Sequence, residues 1–218
     1  MFRWLSGSAG SPGWPATLGP LRTKAGTVRL RPVKVRDGKT WSELRIRNQN
    51  SLLPWEPTGV GSWADRHQPA SWPPLFAVLK SEAKRGTILP FVIELDDQYV
   101  GQLTVGNIQR GAVRSAWIGY WVDNAHAGQG IATAAVALGV DHCFGPVGLH
   151  RLDATVQPAN EASQKVLKNI GFRQEGLLVR YMDVNKRWRD HMLFALTAEE
   201  VAGSATEALV RSGRASFR

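Results

Sequence analysis

Residues 126–132 read His-Ala-Gly-Gln-Gly-Ile-Ala. They lie between the strand-like run Ser115-Ala116-Trp117-Ile118-Gly119-Tyr120-Trp121-Val122 and an alanine-rich segment from Ile131 to Cys143. Gly128 and Gly130 have no Cβ, so the backbone can turn sharply there and come close to a ligand. The helix predicted over 131–143 then points unpaired N–H groups and the positive end of its dipole into the turn. Strand, glycine turn and helix together form a phosphate cradle. A dinucleotide fingerprint fits it poorly. Thr133 stands where the third glycine belongs, and several strand candidates precede the turn.

A second segment narrows the choice. Residues 160–172 read Asn-Glu-Ala-Ser-Gln-Lys-Val-Leu-Lys-Asn-Ile-Gly-Phe, after the strand candidate 151–156 and a loop through Pro158. Gly171 closes this second helix. Together the two segments resemble the acyl-CoA-binding motifs of the GNAT superfamily of N-acetyltransferases. The finer resemblance is to the ribosomal-protein alanine N-acetyltransferases of the RimJ/RimL type. It rests on Ile118–Val122, on Gly128-Gln129-Gly130-Ile131-Ala132, on Asn160 with Ser163, and on Gly171-Phe172. It continues through Glu175-Gly176, the run Asn185 to His191, and the early Leu53-Pro54-Trp55-Glu56-Pro57, so it covers roughly Trp14 to Leu196.

The resemblance implies an α+β GNAT fold, with a central mixed β-sheet splayed at the acyl-CoA site and flanking helices. It also implies acetyl-CoA as cosubstrate and the N-terminal α-amine of a protein, a ribosomal one by the finer match, as acceptor. No metal is expected, because the histidines show no i, i+4 pair with a carboxylate at the usual ligand spacing. Pantetheine would pair with the backbone of Trp121 and Val122. The pyrophosphate would sit on Ala127, Gly128, Gln129, Gly130, Ile131, Ala132 and Thr133. Asn160 and Ser163, three residues apart on one helix face, would lie at the CoA end. Ser163 is the implied acid for the leaving thiolate, where the wider superfamily has a Tyr at the position of Leu167. Trp55, Glu56 and Tyr181 are expected on the acceptor side.

Two departures bear on the chemistry. Ala127 stands where the family pattern usually has Arg or Gln, which removes a contact worth about 1 kcal/mol; Arg114 is a candidate substitute. Met182 stands where some RimL-type enzymes have Glu, leaving Glu56, Glu94 and Asp190 as candidate bases. An α-amine of pKa near 7.8 is about one-tenth neutral at pH 7, whereas a lysine near 10.4 is neutral about once in several thousand. An N-terminal acceptor therefore manages with a weak base.

Other residues carry plainer readings. The side chains of Trp117, Tyr120 and Trp121 are read as core, and Gly119 as the mark of a bulge or close approach. Cys143 is read as a small packing residue on the helix face of Ala132, Ala135, Val136 and Gly139. The alternative for Ser163 is a helix-end hydroxyl satisfied by backbone.

At 218 residues, 43% of them hydrophobic and 21% charged, the chain is long enough for one globular domain with a full core. The expected division is a flexible segment at 1–12, the acetyltransferase domain at 13–197, and a terminal helix and tail at 198–218. No membrane span or secretory signal is expected, and a lone Cys143 excludes an internal disulfide, so cytoplasmic residence is the default. The net charge is +9, and residues 1–36 hold seven Lys or Arg and no acid. That stretch reads either as a site for a polyanion, such as ribosomal RNA or the CoA phosphates, or as a solvated basic surface. Monomer and homodimer both remain open. Acetylation of a small amine, and a CoA-binding interaction module without catalysis, are the rival functions.

The remaining elements follow from periodicity: a strand at 27–32, helices over 37–48 and about 75–84, and a hairpin of 88–94 with 99–108 around Asp96-Asp97. Strands at 177–184 and 188–196 follow, joined at Asn185-Lys186. A capping box at Thr197–Glu200 predicts a short terminal helix, with fraying over 212–218.

Overall fold

The computed structural model describes residues 11–217. Most of the segment expected to be loose, residues 1–10, lies outside this range, as does Arg218. The elements run β1 Leu18–Thr23, β2 Gly26–Pro32, α1 Gly38–Arg47, α2 Gln49–Leu52, α3 Trp63–His67, α4 Trp72–Arg85, β3 Leu89–Leu95 and β4 Gln98–Gln109. They continue with β5 Ser115–Val122, α5 Ile131–Phe144, β6 Arg151–Val156, α6 Glu161–Ile170, β7 Arg173–Val184, β8 Arg187–Thr197 and α7 Ala205–Arg211. The strands form one mixed sheet in the order β1-β2-β3-β4-β5-β6-β8-β7. Among the described residues only β5 and β6 pair in parallel.

Local chemistry sets the turns. Asp96-Asp97 and Asn185-Lys186 all take positive φ, the conformation that short hairpins need, and they join β3 to β4 and β7 to β8. The helix expected from Leu75 begins at Trp72 instead, because Pro73 and Pro74 fall in its first turn, where no N–H is needed. The reading missed β1, whose Leu-Gly-Pro-Leu run breaks strand alternation. As an outermost strand it tolerates the proline.

Three expectations need correction. The capping box at Thr197 and Glu200 holds a 3-10 turn, and the terminal helix starts only at Ala205, capped by Ser204. The tail does not fray at Ser216, which exchanges two 2.9 Å backbone hydrogen bonds with Arg22 on β1. α5 is buried on nearly every side and not along one face. It packs on the sheet and against α6 and α7, as a sequence apolar nearly all round as far as Val140 permits.

The main core lies between the sheet and α5, α6 and α7. On the opposite face a smaller aromatic core gathers Trp41, Trp72, Val33 and Val92 beneath α1 and α4.

Candidate active site

The decisive geometry is a wedge in the sheet. β5 and β6 pair at only three positions, Ser115 with Arg151, Ala116 with Leu152 and Trp117 with Asp153. Beyond them β5 stays with β4 as far as Val122, while β6 stays with β8 as far as Val156. Strand alternation fixes which groups face the gap. The Arg114 carbonyl accepts from Arg151 at the start of β6 (3.2 Å) and from His150 just before it (2.7 Å), whereas the Asp123 N–H donates to Val100 on β4 (2.7 Å). Ile118, Tyr120 and Val122 therefore turn their backbone groups into the wedge. Trp121 turns its own toward β4, and a Cβ added at Gly101 would strike its carbonyl oxygen. Of the two residues expected to pair with pantetheine, Val122 is so placed. Trp121 contributes only its side chain.

β5 leads to the glycine turn. Asn48, which caps the C-terminus of α1, donates from its side chain to the Asp123 carboxylate at 2.9 Å, and its side-chain amide oxygen accepts the Asn124 N–H at 2.8 Å. Burial pushes the Asp123 carboxyl upward, but its hydrogen bonds with Asn48 and Ala125 and the Arg47 charge hold it net below the usual range. Gly128 and Gly130 have φ of +72° and +83°, and Gly130 is the N-cap of α5. The first in-helix bond is Ala134 N–H to the Gly130 carbonyl, so the N–H groups of 131–133 precede the ladder. Residues 127–140 carry no charged side chain, and the cradle is made of backbone. Arg114 does not substitute for the side chain missing at Ala127. It sits at the far end of the eight-residue β5, about 25 Å from the turn at about 3.3 Å per residue.

A cavity of about 890 Å³ fills the wedge and continues onto the aromatic face. Trp55, Glu56, Trp121, Asn160, Ser163 and Tyr181 all line it, together with Trp117 and Tyr120. The three aromatic side chains of β5 thus line a cavity as well as packing, and Trp117 is 44% exposed. Gly119 marks no bulge. β5 is regular, and the irregularity sits on β4 between Gly106 and Gln109, at Asn107 with φ +51°.

Asn160 is the N-cap of α6, its side-chain oxygen accepting the Ser163 N–H at 3.1 Å. The Ser163 hydroxyl lies 2.9 Å from the Tyr120 hydroxyl. Burial pushes the Tyr120 phenol up to about 12, with the Ser163 hydrogen bond working against it, so the group is a proton-bearing partner at neutral pH. This pairing was missed because the two residues are 43 apart in sequence.

At the aromatic end of the cavity, loop 55–58 is clamped to the β7–β8 tip. Pro57 bridges Val184, the Thr58 N–H donates to the Asp183 carbonyl at 2.8 Å, and the Lys186 N–H donates to the Thr58 hydroxyl at 2.7 Å. A bulge between Leu178 and Met182 brings Tyr181 to 5.7 Å from the His191 ring. Glu56 pairs with Arg45 at 2.7 Å, and the Arg45 guanidinium lies 4.8 Å from the Trp63 ring and 5.2 Å from that of Trp121. Of the candidate bases only Glu56 lines the cavity. Glu94 is tied to Arg31 at 2.5 Å, and Asp190 accepts the Arg180 N–H at 2.8 Å. Beside the pair, burial and then the Arg45 charge push His67 down to about 4, so its imidazole is neutral. Sequence reading missed Arg45, although Trp41, Arg45 and Asn48 repeat at the spacing of a buried helix face.

Comparison with known proteins agrees with this geometry. The acetyltransferase (GNAT) domain family matches residues 27–173. The RimJ structure of Mycobacterium smegmatis in complex with CoA-disulfide is 56% identical, with a TM-score of 0.94 over 95% of this chain and 99% of that one. The ribosomal-protein-S5-alanine acetyltransferase structure of Vibrio fischeri is 30% identical, with a TM-score of 0.73 over 79% of this chain and 94% of that one. The Escherichia coli [ribosomal protein uS5]-alanine N-acetyltransferase is 25% identical over 190 residues, 86% of this chain and 96% of that protein. The family match over most of the chain, with a relative's fold matched over nearly its whole length, shows that the chain belongs to the GNAT acetyltransferases.

Proposed function

We propose that the protein transfers an acetyl group from acetyl-CoA to the N-terminal α-amine of a ribosomal protein. The observation that carries the reading is the wedge between β5 and β6, which opens onto the aromatic cavity. Extended amide chains pair with open strand edges, so pantetheine would lie along Ile118, Tyr120 and Val122. The N–H groups from Gly128 to Thr133 and the α5 dipole would hold the pyrophosphate. Asn160 contributes as the cap that sets the start of α6.

In the reaction the acceptor amine attacks the thioester carbon directly within a ternary complex. The Val122 N–H, fixed at the end of β5, polarises the thioester carbonyl. Ser163 hands its proton to the departing sulfur, and Tyr120 holds that hydroxyl in place. Trp55, Glu56 and Tyr181 border the acceptor.

Charge in the cavity favours a single amine over a polycation. Its two carboxylates among the described residues, Glu56 and Asp153, are both tied to arginines, Arg45 and Arg151, each at 2.7 Å. Of the basic residues near the N-terminus, Arg29 pairs with Asp97, and Arg31 with Asp37 and Glu94. That leaves a smaller basic surface for ribosomal RNA than the sequence suggests. Among the described residues no helix is long and apolar enough to cross a membrane. The reading places the enzyme in the cytoplasm with its ribosomal substrate.

The test is a thermal shift followed by peptide acetylation. Acetyl-CoA at about 100 times its Kd adds about 2.7 kcal/mol, which raises Tm by about 5–10 °C, while NADH leaves it unchanged. Mass spectrometry of ribosomal-protein N-terminal peptides should then show a 42 Da gain, the mass of one acetyl group for a hydrogen, about at the α-amine. A shift without acetylation of any peptide would refute the proposed acceptor.

A further inference from the structure

Arg45 is 5% exposed and lies between two indoles, yet it borders the cavity. Its ionic partner among the described residues is Glu56, and its buried Nε–H has no acceptor there. A buried ion pair is weak evidence for stability, because apolar residues of similar volume usually serve as well. A guanidinium has five donors, and one ion pair leaves most of them for something else. The Trp63 indole N–H donates to the Arg45 carbonyl at 2.8 Å, which fixes the start of this side chain. Trp121, whose ring the guanidinium covers, is next to Val122 at the end of the wedge. The pair therefore stands beside the place where the acceptor enters.

We infer that Arg45 and Glu56 together receive the α-aminoacyl end of the acceptor, Glu56 taking an N–H of the amine and Arg45 the carbonyl of the first residue. Amine nitrogen and carbonyl oxygen are about 3 Å apart in such a group. The 2.7 Å Arg45–Glu56 contact presents donor and acceptor on a matching scale. A lysine ε-amine has no neighbouring carbonyl and gains only half of the contact. The arrangement also protects reactivity. A lone carboxylate would favour the ammonium form of the amine, and Arg45 cancels most of that pull. The other titratable or charged groups facing the pair are His67 and Arg66 of α3 and Tyr99 of β4. Tyr120, Asp153 with Arg151, Tyr181 and His191 complete the cavity.

The inference rests on the proposed N-terminal acceptor, and the experiment separates the two. Acetylation is measured on an alanyl peptide and on the same peptide with its first carbonyl replaced by methylene, each rate corrected for neutral amine. The wild-type protein should prefer the carbonyl-bearing peptide by about ten- to hundredfold in kcat/KM. Arg45→Met should reduce that preference to a few-fold and move the rising limb of its pH profile to higher pH. A parallel profile on His191→Asn separates the amine limb from the imidazole. Glu56→Gln should lower kcat/KM on both peptides alike, by about tenfold. An acetyl-CoA thermal shift verifies the fold of each variant. If Arg45→Met does not fold, the wild-type preference and the Glu56→Gln result decide. A wild-type preference near one, an unchanged preference in Arg45→Met, or full activity in Glu56→Gln overturns the inference while leaving the acceptor class standing. Failure to acetylate either peptide overturns both.

Discussion

Replacing Tyr120 by Phe removes one hydroxyl and leaves the ring in place, so it isolates the 2.9 Å contact with Ser163. The Tyr120 hydroxyl also lies 3.3 Å from the Ser163 carbonyl, but the α6 ladder can serve that oxygen, so the variant strands no buried acceptor. A neutral hydrogen bond contributes about 0.5–1.5 kcal/mol. Converted at 1.36 kcal/mol per tenfold, the variant should lower kcat by about two- to twelvefold. Stability should fall by a similar energy, about 1–6 °C in Tm. The Kd for CoA should hold, because the backbone of residue 120 is unchanged. Thiol release measured on wild type, Tyr120→Phe, Ser163→Ala and the double variant completes the cycle. If Tyr120 acts through Ser163, its loss costs nothing further once Ser163 is alanine. Equal slowing by Tyr120→Phe in both backgrounds would refute the coupling, and an unchanged kcat in Tyr120→Phe would refute the positioning role.

Other perturbations follow from the same structure. Gly130→Ala forces a Cβ into φ +83°, which should cost about 1–2 kcal/mol of stability and weaken acetyl-CoA binding, read by calorimetry. His67 has its folded pKa lowered from 6.5 to about 4, so the unfolded chain binds its proton first as pH falls. Stability present above pH 6.5 should be lost between about 6.5 and 4, on the order of 2–3 kcal/mol, and His67→Phe should flatten that part of a urea-midpoint profile. The Cys143 thiol is buried and pushed up to about 12, so Ellman's reagent should label it only as fast as the protein unfolds. Thr58→Val removes the hydroxyl that accepts the Lys186 N–H and donates to Asp183. It should raise KM for peptide more than it lowers kcat, and a kcat effect alone would count against the clamp.

Much of the fold was legible because its signals are local. Gly128 and Gly130 announced a turn before a helix, and the alternation in 115–122 and the pairs Asp96-Asp97 and Asn185-Lys186 announced strands and hairpins. β1 escaped because Gly19 and Pro20 erase alternation at an outer strand, where the sheet can tolerate both. The terminal helix was placed too early because a capping box satisfies a 3-10 turn as readily as an α-helix.

Within the site, spacing put Ser163 and Asn160 on one helical turn, and the family resemblance singled out the early Trp55-Glu56 segment, which lines the cavity. Arg45 was visible only as a charge at core spacing, and nothing in its neighbourhood names Glu56 as its partner. The side of β5 on which Trp121 presents its backbone depends on which neighbour each edge finds. That is a property of two strands and is absent from either alone.

The sequence by itself determined the order of elements from β2 onward in outline, the glycine turn at the start of α5 and the residues available for chemistry, because turns, caps and periodicities depend on neighbours a few positions away. The tertiary structure decided the rest. It set the point where β5 parts from β6, the contact of Tyr120 with Ser163 across 43 residues, and the seating of Arg45 between Trp63 and Trp121. These depend on strand register and on the burial of surfaces distant in the chain, and such energies exist only when the whole sheet and both its faces are packed.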